Sequence, residues 1–177
     1  MRLKTLLISG CLTAGVMLFT IPAIASAAHG CEVGAANKGD TNALFQDIKT
    51  DASEALYHAD QLQRFAQNHL SWDTQALQLE AIKDDVNGIE NNLCRLEILR
   101  NSDTPRQQAE IDQIAATARL MVDNTQDAIL FANDHQRNLW LGQYLKYTDN
   151  LFDQASTLAH SADTAVNDAN VSKHNGM

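Results

Sequence analysis

Two histidines are the residues best placed to do chemistry. His69 closes the run Phe65-Ala66-Gln67-Asn68-His69, and His135 closes Phe131-Ala132-Asn133-Asp134-His135, at an offset of 66. Each run is followed, after a short break, by a tryptophan: Trp72 and Trp140. Neutral imidazole is a ligand for transition metals, and two imidazoles can fill both axial positions of a haem. A metal centre needs further donors, however, and only Asp73 and Asp134 lie close in sequence. Histidine and tryptophan also close the ends of helical bundles by packing, with their polar tips hydrogen-bonded to loop carbonyls. The pair His69 and His135 therefore has two readings, a speculative metal or haem site and, by default, a packing role.

The cysteines offer a second chemistry. Of Cys11, Cys31 and Cys94, the first falls inside an N-terminal segment with the marks of an export signal. That segment opens Met-Arg-Leu-Lys, continues with an apolar run from Leu6 to Ile24, and ends in small residues at Ala25-Ser26-Ala27. Pro22 and the small-residue tail favour cleavage over retention as an anchor. Cys11 precedes most of the apolar run, which is the wrong order for a lipidated N-terminus. Cleavage after Ala27 leaves Cys31 and Cys94, and the default for two cysteines in an oxidising compartment is one disulfide. Two free thiols, or a bridge between two chains, are the alternatives.

The other side chains with chemical potential are weaker. His58 lies four residues after Glu54, the spacing of an exposed ion pair. His29 would stand near the new N-terminus, where an amine and an imidazole can hold copper, but the bland reading is a mobile arm. His160 falls off its helical stripe, and His174 lies close to the chain end. Acids such as Asp84, Asp85 and Asp163 are expected on solvated faces, with no inward pair for general acid–base work. There is no His-Glu-x-x-His, no Cys-x-x-Cys-His, no Gly-x-Ser-x-Gly, no Gly-rich phosphate loop and no Glu-x-x-His pair of the di-iron bundles.

The elements that must position these residues are helices. Between Thr41 and Val171 there are two glycines, Gly88 and Gly142, and one proline, Pro105, far too little turn punctuation for a sheet. Apolar residues recur three and four apart in four segments: Phe45 to His69, Leu79 to Leu96, Ile111 to His135, and Leu141 to Ala169, with His69 and His135 expected on the inward stripes of the first and third, at the same end of the bundle. Ser71 is placed to cap the second segment, and Asp40 or Thr41 the first. Thr104-Pro105-Arg106-Gln107 has the residues of a capping box with proline at the first helical position. No Gly or Pro marks the third boundary, but the stripe changes phase there. Continuing past His135 would place Gly142, Lys146 and Asp149 inward, whereas the next stripe starts at Leu141 and Tyr144. That shift of two residues is about 200° around a helix, so the chain must turn.

The spacing thus predicts an all-α, up-down-up-down antiparallel four-helix bundle of two similar helical hairpins. The domain order is a signal peptide at 1–27, an irregular arm at 28–39, the bundle at 40–170 and a disordered tail at 171–177. Loops are expected near Leu70, Ser102 and Arg137. A thin alanine face on the last helix (Ala155, Ala159, Ala162, Ala165, Ala169), opposite Ala52 and Ala55, predicts close backbone approach at one end, with a face that receives another chain or a partner helix as the alternative. In such a bundle Cys94, near the end of the second helix, lies beside the start of the first, within the extended reach of Cys31.

Charge narrows the partners. The 177 residues carry a formal charge of −9, and loss of Arg2 and Lys4 with the leader takes it to about −11. The remaining basic residues are scattered singly, which excludes phosphate-backbone binding and disfavours docking on anionic lipid. What remains is an exported protein, periplasmic or extracellular, with no membrane span once processed and no recognisable enzyme chemistry. Its expected work is contact with an unknown protein partner or with the envelope. Metal or haem binding through His69 and His135 is the alternative.

Overall fold

The computed structural model describes residues 41–175. The leader, the arm with Cys31, and Asp40 as a helix cap all lie outside the described residues. Within them the chain forms four long helices and no strand: α1 (Thr41–Gln67), α2 (Trp72–Leu99), α3 (Pro105–Asp134) and α4 (Gly142–Asn175). A single 3₁₀ turn, Arg100–Ser102, follows α2 directly. The breaks fall at 68–71, 100–104 and 135–141, where periodicity and phase require them. α4 runs on past Asn170 into the expected tail.

The caps explain two of these boundaries. The Ser71 hydroxyl accepts from the Thr74 amide at 3.4 Å and starts α2. At α3, the Thr104 hydroxyl accepts from the Gln107 amide while the Gln107 side chain accepts from the Thr104 amide at 2.9 Å, completing the box. Two of the orphan donors at that terminus are thereby satisfied.

Each helix packs on two neighbours, in the cyclic order α1, α2, α3, α4, with α2–α3 the least extensive seam. The inward stripes are those the spacing marks: Phe45, Ile48 and Leu62 on α1, Ile82 and Ile89 on α2, Ile114 and Met121 on α3, Leu151 and Leu158 on α4 are all fully buried. Ala52, Ala55, Ala155, Ala162 and Ala165 are buried with them. Polar pairs fix how the helices slide on one another. Asp51 receives a bond from Asn92, and His58 meets Gln78 across α1–α2. Lys49 pairs with Asp163, and Gln63 with Asp149, across α1–α4. Gln113 donates to Ser161, and the buried Asn124 donates to the Tyr147 carbonyl, across α3–α4.

Candidate functional site

The histidine end is built differently from the sequence expectation. His69 does not lie on the inward stripe of α1: it is exposed and sits beyond the helix, with φ at 55°. The Leu70 amide donates to the Phe65 carbonyl at 2.9 Å and the His69 amide to the Ala66 carbonyl at 3.2 Å. Those two bonds form a Schellman C-cap, with His69 in the left-handed position usually given to glycine. Helical spacing ends at Gln67, so it cannot place a residue two positions later.

His135 is half-buried and also ends its helix, but without turning left-handed. Its ring stacks on Phe131 with centroids 4.1 Å apart, and its Nδ1 lies 3.0 Å from the Phe131 carbonyl. That is the hydrogen-bonded packing role. The two tryptophans diverge as well. Trp140 stands in the loop, 55% exposed, with its ring edge-on to His69 at 6.4 Å. Trp72 is the first residue of α2, and its indole N–H is buried with no hydrogen-bond partner among the described residues, not bonded to a loop carbonyl. The repeat in sequence therefore ends in two unlike turns. A cleft of about 120 Å³ lies between them, bordered by His69, Trp72, Gln75 and Trp140. Among the described residues no three His, Cys, Asp or Glu side chains converge as metal ligands.

Two acidic clusters depart from the expected solvated faces. Glu110 on α3 is 13% exposed and lies beside Asp168 of α4, with Arg106 paired to both. Burial first, and then the Asp168 carboxylate, push the Glu110 carboxyl up to about 7, against the pull of Arg106. The buried Glu110 Oε2 has no hydrogen-bond partner among the described residues, and burial beside a second carboxylate favours the protonated form of a carboxyl. On α2, burial pushes Asp85 up to about 6; His58 opposes this, and Glu54, Asp51 and Asp84 add to it. Gly88 matters here, because a Cβ on it would come within 2.7 Å of the Asp51 carboxylate. His58 itself is held by Gln78 at 3.0 Å, in place of the expected Glu54 pair.

A further concave surface is one that the spacing does not mark. Where α2 leaves its cap and α3 approaches its end, their seam opens into a groove of about 290 Å³. Trp72, Leu77, Leu79, Ile129 and Ala132 line it, with Ala76 among them and Asp73, Glu80, Lys83 and Asn133 as its polar members. Leu77 is 65% exposed, an apolar side chain left in water beside an apolar trough. Leu77 is off the apolar stripe, because it lies between the inward positions Gln75 and Leu79 of α2. The Glu110–Asp168 pair lines neither this groove nor the histidine cleft. No helix among the described residues is long and apolar enough to cross a membrane. No protein-family model matches the sequence, and no curated protein or solved structure is detectably similar to it.

Proposed function

We propose that the chain is an exported, non-enzymatic helical bundle that acts by binding another protein in the periplasm or outside the cell, with the α2–α3 groove as its working surface. The observation that carries this is the groove itself: apolar, concave, and edged by the exposed Leu77. Exposed apolar surface of this kind costs solubility and marks contact sites. The apparent signal peptide, cleaved after Ala27, supports the export half of the reading.

The topology in this reading is up-down-up-down with antiparallel neighbours. It is supported by the order of cross-helix pairs: as α1 advances from Asp51 to His58, its partners on α2 retreat from Asn92 to Gln78. α4 against α1 follows the same rule, from Lys49–Asp163 to Gln63–Asp149. A Cys31–Cys94 disulfide belongs to the proposal too. The Thr41 hydroxyl bonds to Asp103 at 3.0 Å, so the start of α1 lies at the end of α2, not far from Cys94. Ten residue steps lead from Cys31 to Thr41 and span at most ~35 Å, enough to reach.

A photo-reactive residue at position 77, expressed in the exporting cell, tests the reading. Adducts of one defined mass are expected from position 77 and not from the exposed Arg119 on α3. Equal labelling from both positions, or none from 77, would sink it.

A further inference from the structure

We infer that the α2–α3 groove receives a basic amphipathic α-helix, apolar face down; this rests on the groove being the working surface. Shape gives the first argument. Two helices side by side leave a trough that the ridge of a third can fill, and small floor residues let its backbone come close. Ala76 and Ala132 are those small residues, with Trp72, Leu77 and Ile129 around them. The α2 part of the lining runs from Trp72 to Lys83, roughly 17 Å of helix, which three turns of a partner would cover. Apolar anchors at i, i+3 or i+4, and i+7 suit that length.

Charge gives the second argument and chooses among occupants. The charged side chains lining the groove are Asp73, Glu80 and Lys83, and Asp84 lies one turn beyond Glu80 on α2. Lys83 is the one basic residue of that lining. Asp73, Glu80 and Asp84 are all exposed. A second copy of this chain would bring the same carboxylates against themselves, and an anionic lipid surface would meet the same repulsion. A lysine- or arginine-faced helix gains from each of them, chiefly in association rate and in choice of partner.

The test uses a synthetic fifteen-residue peptide with leucines at helical spacing and lysines on the opposite face, and its glutamate-faced counterpart. Binding is read from Trp72 fluorescence in the mature Trp140→Phe protein, whose substitution lies in an exposed loop. The lysine-faced peptide is expected to bind at least ~10-fold more tightly than the glutamate-faced one, and less tightly as salt rises. Leu77→Asp should weaken it by a further order of magnitude with an unchanged helical circular dichroism spectrum. Asp73→Asn with Glu80→Gln should narrow the difference between the two peptides. Equal or tighter binding of the glutamate-faced peptide overturns the inference and leaves the groove as the working surface. Self-association of the wild type that Leu77→Asp abolishes does the same, naming a second copy as the occupant. No response to either peptide, together with no adduct from position 77, overturns both.

Discussion

The Tyr144 hydroxyl is fully buried and has no hydrogen-bond partner among the described residues, although its ring stacks on Phe131 at 5.9 Å. Burial alone drives its acidity far below that of an ordinary phenol. An unpaired buried hydroxyl costs on the order of 1–3 kcal/mol, so Tyr144→Phe should raise unfolding free energy by about 1 kcal/mol. A loss of stability in urea titration would mean that the hydroxyl is satisfied after all. Glu110 makes a prediction of opposite character, because its cost depends on pH. Its carboxyl rises from 4.5 to about 7 on folding, so the folded chain binds the extra proton between those values. The stabilisation is full below about 4.5 and is lost as pH climbs through about 7. Asp85, raised to about 6, adds to the same slope. Asp112 and Asp163, held low by Arg100 and Lys49, act the other way and lose their contribution in acid. Stability should therefore peak near pH 5 and fall towards pH 8. Glu110→Gln, which keeps a donor for Asp168, should flatten that fall and gain on the order of 1 kcal/mol at pH 8 after solvent screening. An unchanged pH profile would contradict the raised Glu110 carboxyl.

At the scale of the helix, the sequence was most legible where a stripe repeats. Phe45 to Ala66 and Ile111 to Ala132 are buried at nearly every marked position, because a 3.6-residue period leaves few other faces for apolar residues. It was least legible at the C-terminal ends of the helices, where one residue's backbone conformation decides the outcome. His69 carries on the three-and-four spacing yet falls in the left-handed cap, and Asn68-His69-Leu70 contains no glycine to signal it. The groove was illegible for a related reason. It arises from how far α2 and α3 separate, a property of two helices together that neither stripe contains. Glu110 and Asp168 likewise read as ordinary surface acids until α3 and α4 are laid side by side. The left-handed cap yields its own prediction. A β-carbon in that conformation costs on the order of 1 kcal/mol, so His69→Gly should stabilise the protein by ~0.5–1 kcal/mol. Thermal unfolding checks it, and a fall in midpoint would show that the His69–Trp140 edge contact outweighs the strain.

For the molecule as a whole, the proposed Cys31–Cys94 bridge encloses most of the first hairpin. In the chain-entropy model a loop of that size contributes about 4 kcal/mol, so reduction should lower the unfolding free energy by that order without unfolding the bundle. Thiol counting on the mature, denatured and unreduced protein should find no free cysteine; two would remove the bridge. The proposed helix-binding groove on α2 and α3 is open to a direct check by an amide chemical-shift map of the mature protein titrated with the lysine-faced peptide. Shifts are expected on Trp72–Lys83 and Ile129–Asn133, with the α1–α4 face unmoved. Shifts centred elsewhere on the surface, or a spectrum unchanged at saturating peptide, would contradict it.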